Sequence, residues 1–277
     1  MATRAATAEL SLIVRPVVSN LPIVPTDRPI VTLTTDFQSV DYYVAAIKGV
    51  LLSAYRDVCI VDVTHEIPRH DVVAGSIVLE RALASFPPGT YHLVVVDPGV
   101  GSDRRIIIAE IAGQTVVCPD NGLITWAVRR LEGSQIHELI WRPAQSSATF
   151  EGRDLMAPAL TMLMQGRPIS EIGRAISDAG LLDLNLASDR RRGQIIHIDT
   201  YGNATTNLPA ALLASRHDAT VSVRGQSVGQ IRHTYGDVGI GEPLALIGSS
   251  GLLEIAVREG DAAAEMNLKV GDAVALK

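Results

Sequence analysis

The sequence predicts an α/β fold class: an N-terminal α/β domain with a mainly parallel sheet, followed by a smaller C-terminal all-β, barrel-like domain. Three observations carry this. From Pro29 to about Asp183, short apolar runs rich in Val, Ile and Thr alternate with longer runs of helical periodicity. Around Leu184–Gly193 the pattern breaks into LNLASDRRRG, a polar, arginine-rich stretch that suits a domain boundary and reads as a solvated linker. From Gln194 onward the runs shorten and glycine becomes frequent, the texture of antiparallel β structure.

The first strand is IVTLTTDF (30–37), and VDYYVAAIKGVLLSAY (40–55) is the helix after it. VCIVDVT (58–64) gives a second strand, VVAGSIVLERALASF (72–86) a second helix and TYHLVVVD (90–97) a third strand. Strand, helix, strand in this order implies crossover connections, with ligands expected at the carboxyl ends of the strands. Asp36, then Thr64 and His65, then Asp97 end the three strands, so polar groups collect along one edge. In the second domain the short runs are GQIIHID (193–199), ATVSVRG (219–225), PLALIGSSG (243–251), LLEIAVREG (252–260) and DAVALK (272–277). The expected organisation is an extended N-terminal arm over 1–28, an α/β domain over 29–188 and a β domain over 193–277.

Composition narrows the functional class. Hydrophobic residues make up 47% of the 277 and charged residues 19%, as in a globular protein with a sizeable core. A net charge of -6, with no basic run beyond Arg190–Arg192, argues against a nucleic-acid partner. No apolar stretch is long enough to span a bilayer and no signal-peptide pattern opens the chain, so a cytoplasmic protein without a membrane partner is expected. Cys59 and Cys118 both lie in apolar strand-like runs, which predicts free thiols in a reducing compartment.

The segment VVDPGVGSDRR (95–105) ends a buried strand on a carboxylate and turns through Pro98, Gly99 and Gly101, so that Arg104 can fold back toward Asp97. This reads either as a structural ion pair on a tight turn or as a reactive pair. His65, Glu66 and His70 do not form a zinc helix, because the histidines are five apart with Pro68 between them. Neither a Walker-type phosphate loop nor a GxGxxG after a strand is present. His92, His137, His197, His217 and His233 are scattered and read as surface or core residues.

Seven segments in order resemble the S-adenosylmethionine (SAM) hydroxide adenosyltransferases, relatives of the fluorinases and chlorinases. They are TLTTDFQSVDYYVAAIKGV (32–50), DVTHEIPRHDVVAGSIVL (62–79), VVDPGVGSDRR (95–105), PDNGLIT (119–125), TFEGRDLMAPA (149–159), IDTYGNATTNL (198–208) and SSGLLEIAV (249–257). The resemblance implies hydrolysis of SAM to adenosine and methionine by attack of water at the ribose 5′ carbon. It implies no metal and no cofactor besides the substrate, and a homotrimer whose active sites lie between the N-terminal domain of one subunit and the C-terminal domain of the next. A halide-using enzyme and a non-catalytic protein that binds SAM or adenosine are the alternatives.

By the same resemblance, Asp97 and Arg104 hold or activate the water. Arg105 is the neighbouring arginine and should point to the other side of an extended segment. The family pattern TFHGRD stands here as TFEGRD, which places Glu151 at the histidine's position. A glutamate still accepts a hydrogen bond from water or pairs with Arg104, but when ionised it cannot donate as a histidine does. Two carboxylates beside one arginine make a net negative site, which favours water over halide. Asp36 is implied as the holder of the ribose hydroxyls, with a helix N-cap as its alternative reading. Asp199 is assigned to the methionine amino group, Tyr201 to stacking on adenine and Asn203 to the adenine edge; a plain YGN turn is the alternative. Ser249 and Ser250 are assigned to the methionine carboxylate. Asn121, in the PDNG turn, either lines the pocket or is purely structural. The family often has asparagine where this chain has Gly248, Arg258 and Asp261.

Overall fold

A computed structural model describes residues 28–183, 191–213 and 219–277. Residues 1–27 of the expected arm, most of the arginine-rich boundary segment and His217 lie outside the described residues. The chain divides into two compact units between Leu182 and Asp183.

The first unit is built on a sheet of β1 (Ile30–Thr35), β2 (Cys59–Thr64), β3 (Tyr91–Val95), β4 (Ile106–Ile111), β5 (Gln114–Pro119), β6 (Ser134–Leu139) and β7 (Gly173–Ala175), in the order β2-β1-β3-β5-β4-β6-β7. β1 pairs in parallel with β2 and β3, and β3 with β5. The pairs β4–β5, β4–β6 and β6–β7 are antiparallel, so only β4 and β7 run against the rest of a mainly parallel sheet. The alternation of strand and helix read over the first domain is therefore interrupted after β3, where two strands follow without a helix, and resumes with a helix between β5 and β6. β4 and β5 instead form a hairpin through Ala112 and Gly113, both at positive φ (53° and 75°), the backbone of a two-residue hairpin turn. Ala-Gly lacks the Asn or Asp that usually signals such a turn, which hid the hairpin from the sequence.

Period-two alternation sends side chains to opposite faces of this sheet. Leu93, Val95, Ile106 and Ile108 face a core shared with α1 (Tyr43–Ala54) through Ile47 and Leu51. Val94, Val96, Ile107 and Ala109 face a second core with α2 (Val72–Ser85) and α3 (Thr125–Arg130). The TFEGRD segment runs into a π-turn, Gly152–Met156, continuous with α4 (Ala157–Met164), which packs beside α1. A one-turn helix, α5 (Ile169–Ile172), precedes β7.

The second unit is a closed barrel. Its strands are β8 (Arg192–Ile198), β9 (Ala204–Pro209), β10 (Thr220–Val223), β11 (Gln226–Arg232), β12 (Pro243–Ile247), β13 (Leu252–Val257) and β14 (Ala273–Leu276), ordered β10-β11-β12-β13-β9-β8-β14 with β14 returning to β10. Closure leaves no unpaired strand edge. Ile195, Val221, Ile255 and Val274 fill the interior, and α6 (Ala262–Glu265) follows β13. β8 begins at Arg192, and the Arg191 carbonyl accepts from the Leu276 amide at 2.8 Å, so two of the three arginines read as linker belong to the barrel ladder. Cys59 and Cys118 are both free. Among the described residues, no helix is long and apolar enough to cross a membrane.

Candidate active site

The carboxyl ends of β1 and β3 open onto a cleft of about 490 Å³ lined by Asp36, Asp97, Phe150 and Glu151, among others. Arg104 folds back as the glycine-rich turn predicts. Its Nε donates to Asp97 Oδ1 at 2.6 Å, while Nη2 reaches both Asp97 Oδ2 and Glu151 Oε2, the latter at 2.5 Å. The Asp97 side chain is 5% exposed, Arg104 11% and Glu151 21%, so the glutamate is the most open of the three. Burial by itself would lower the Arg104 pKa. The hydrogen bonds and charges of Asp97 and Glu151 outweigh that and hold it above the ordinary guanidinium value, so Arg104 stays charged.

Local geometry explains why glycine is needed here. A side chain at Gly99 would press on Arg104, with Cβ 3.0 Å from Cδ. Gly101 adopts φ +80°, and a Cβ there would lie 2.8 Å from the Ala148 carbonyl. Gly101→Ala is expected to cost roughly 1–2 kcal/mol through backbone strain and this clash, read as a lowered urea midpoint with unchanged slope.

Asp36 sits where β1 ends. Its Oδ2 accepts from the His70 amide at 2.8 Å, and its own amide donates to the Val95 carbonyl at 3.4 Å. It does not cap α1, which begins at Tyr43 after Tyr42 with no side-chain cap, so the N-cap alternative is excluded. Arg105 points away from Arg104's carboxylates, as expected, and pairs with Asp120 and Asp178. Asn121 does not line the cleft; its Nδ2 donates to the Val96 carbonyl at 2.9 Å.

The remaining candidates lie in the barrel unit. Asp199 organises its own turn: Oδ1 accepts from the Tyr201 and Asn203 amides, both at 2.9 Å, and Oδ2 from Asn203 Nδ2 at 3.2 Å. Tyr201, 75% exposed, and Asn203 line a shallow depression with Tyr235 and Asp261. Ser249 and Ser250 occupy the turn between β12 and β13, which the Gly251 amide closes on the Gly248 carbonyl at 2.9 Å. Asp261, one of the positions departing from the family pattern, caps α6 by accepting from the Ala264 amide at 2.8 Å.

Sequence reading missed the aromatic wall of the cleft. Phe37, Tyr43 and Phe150 meet at centroid distances of 5.3 to 6.0 Å, Tyr42 stacks on Tyr43 at 4.9 Å, and Arg153 lies over the Phe150 ring at 4.8 Å. A signal existed, since two of only three phenylalanines lie within the TTDF and TFEGRD motifs. Charged groups in the lining are the carboxylates Asp36, Asp41, Asp97 and Glu151 and the guanidiniums Arg69 and Arg153. His65 turns to Thr35, with Nδ1 2.9 Å from Oγ1, and Glu66 accepts from Ser39 at 3.1 Å. Among the described residues, no three or more His, Cys, Asp or Glu are grouped to hold a metal.

Fold and cleft together define a protein of two units, an α/β sheet and a closed barrel, that sets a buried guanidinium between two carboxylates at the strand ends. Residues 31–173 match the SAM hydroxide adenosyltransferase N-terminal domain and residues 193–275 the C-terminal domain of the same family. The chain belongs to the SAM hydroxide adenosyltransferase family. A protein of Thermus thermophilus named (R)-S-adenosyl-L-methionine hydrolase is 38% identical, covering 90% of this chain and 99% of the relative. One of the same name from Salinispora tropica is 35% identical, covering 88% and 96%. A fluorinase of Nocardia brasiliensis is 27% identical, covering 90% and 97%. Among solved structures, an uncharacterized conserved protein of Thermotoga maritima superposes with a TM-score of 0.82 at 34% identity, covering 89% of this chain and 99% of the other.

Proposed function

We propose that the protein hydrolyses SAM to adenosine and methionine by attack of water on the ribose 5′ carbon. The observation that carries this reading is the Asp97–Arg104–Glu151 arrangement at the cleft, with Asp36 in the same lining. As the water oxygen bonds to C5′, the C5′–S bond breaks and its electron pair stays on sulfur, so methionine leaves as a neutral thioether. That leaving group needs no acid. The proton shed by the water has carboxylate acceptors in Asp97 and Glu151, and Arg104 fixes both. Four carboxylates outnumber the guanidiniums of Arg69, Arg104 and Arg153, and this excess with the aromatic wall suits a cationic sulfonium, whose attraction to ring faces and anions adds to binding. Asp36 holds the ribose hydroxyls. Asp199, Tyr201, Asn203, Ser249 and Ser250 contact the adenine and methionine parts, supplied by a neighbouring subunit of a homotrimer. Neither a metal nor a further cofactor takes part, and the enzyme works in the cytoplasm with both thiols reduced.

Incubation with SAM in ¹⁸O-water and mass analysis of the adenosine tests the reaction. Label at the 5′ oxygen is expected; unlabelled adenosine, or binding without product, would overturn it. Added chloride is expected to leave the consumption rate unchanged because the site is rich in carboxylates, and acceleration would establish a halide-using enzyme. Glu151→His is expected to keep the same product and to alter the pH dependence of the rate, since an imidazole titrates near neutrality. Light scattering should return three times the 29.5 kDa subunit mass.

A further inference from the structure

We propose that Asp120 and Asn121, neither of which lines the cleft, are positioning residues that clamp both feet of the loop carrying Asp97 and Arg104. The proposal rests on reading that pair as the reactive groups. Its basis is topological. The loop leaves the sheet after β3 and re-enters at β4, and β5 lies between those two strands, so the loop straddles the carboxyl end of β5. Asp120 and Asn121 are the first two residues beyond that end.

Each residue holds one foot. Asn121 Nδ2 donates to the carbonyl of Val96, the residue immediately before Asp97, at 2.9 Å. Val96 is fully buried, so water cannot replace that donor. Among the described residues Asn121 Oδ1 is buried without a hydrogen-bond partner, so the bond to Val96 is the contact there that the side-chain amide makes. At the other foot, the Asp120 amide donates to the Arg105 carbonyl at 2.9 Å, and Asp120 Oδ2 accepts from Arg105 Nε at 2.8 Å. Asp120 Oδ1 is fixed in turn by the Gly180 amide at 2.7 Å. Arg105 also donates from Nη1 to Asp178 Oδ1 and from Nη2 to the Asp178 carbonyl, both at 2.9 Å. Adjacent side chains of an extended segment point to opposite sides, so anchoring Arg105 outward sets Arg104 inward on its two carboxylates. The clamp therefore acts on the geometry of the reacting groups and leaves substrate contacts alone.

The test compares Asn121→Ala, Asp120→Asn, Arg105→Ala and Arg105→Lys with the wild type in steady-state turnover of SAM. A loss of kcat of about tenfold or more with KM within about twofold is expected, since misplacing a reacting group by an ångström can cost up to ~100-fold. Arg105→Lys, which keeps the charge facing Asp120, is expected to recover part of what Arg105→Ala loses. In an Asp97→Asn background, Asn121→Ala is expected to cause no further loss, because it acts through Asp97. Hydrogen exchange read by mass spectrometry over Asp97–Arg104 should be faster in the clamp variants. A raised KM with kcat intact would make Asn121 a substrate contact and overturn the proposal, as would equal losses in both backgrounds. If the wild type turns over no SAM, the hydrolase reading fails while exchange still decides the clamp: unchanged protection of the loop overturns it.

Discussion

Arg104→Ala is expected to lower kcat by roughly 100- to 1000-fold, the loss typical of removing one preorganised charge from a reacting site. The guanidinium is the shared partner of Asp97 and Glu151, and its side chain is only 11% exposed. Without it the two carboxylates lose the cation that fixes them. Arg104→Lys retains the charge but not the planar fork that serves Asp97 through Nε and Nη2, so most of the loss should remain. Steady-state rates measured where circular dichroism shows each variant folded provide the check. Activity of Arg104→Ala within threefold of wild type would remove this arginine from the mechanism.

The second large effect is on stability in acid. His92 is fully buried on β3, with Nδ1 2.7 Å from Thr32 Oγ1 and Nε2 2.9 Å from Gln114 Oε1. The Gln114 amide nitrogen donates to the Leu83 carbonyl, so its oxygen faces His92 and Nε2 carries the ring proton. Burial, opposed by the Gln114 hydrogen bond, pushes the His92 pKa down to about 4 from 6.5. The folded state thus refuses a proton that the unfolded chain accepts between those values. The stabilisation from a neutral His92 is full above pH 6.5 and disappears as pH falls to about 4, at about 1.4 kcal/mol per pH unit and about 3 kcal/mol in all. Glu80 works in the opposite direction: burial raises its pKa, against Arg130 and Arg81, so protonation on acidification favours the fold. Urea unfolding of the wild type between pH 7 and 4.5 should show midpoints falling steadily with pH. His92→Gln should flatten that slope, and an unchanged slope would remove the buried histidine as its cause.

Much of the architecture was legible because local pattern and tertiary role agree. β1, β2 and β3 with α1 and α2 follow from apolar runs of the right period, and the barrel from short glycine-punctuated strands. The β4–β5 hairpin was not legible, since IIIAEI and QTVVCP are joined by Ala-Gly, a turn whose first positive φ, at Ala112, no residue type announces. The start of β8 was hidden similarly: Arg192 looks like linker until the Ala275 ladder takes it up.

At the site, the turn through Pro98, Gly99 and Gly101 was enough to suggest that Arg104 folds back toward Asp97, as it does. Asn121 was placed in a turn, but which carbonyl its amide serves depends on β5 lying between β3 and β4, a neighbour relation set by pairing across the sheet. The same holds for the aromatic wall, assembled from Phe37, Tyr42 and Tyr43 at one end of the chain's first motif and Phe150 far along it.

By itself the sequence determined the fold class, the family resemblance and the approach of Arg104 to Asp97, all of which rest on contacts close in sequence or on ordered motifs. Only the tertiary structure decided that Glu151 shares Arg104 with Asp97, that Asp36 is held by the His70 amide and does not cap a helix, and that Asp120 and Asn121 grip the loop's feet. These contacts join residues distant in sequence whose separation is set by sheet order and packing, which no local pattern encodes.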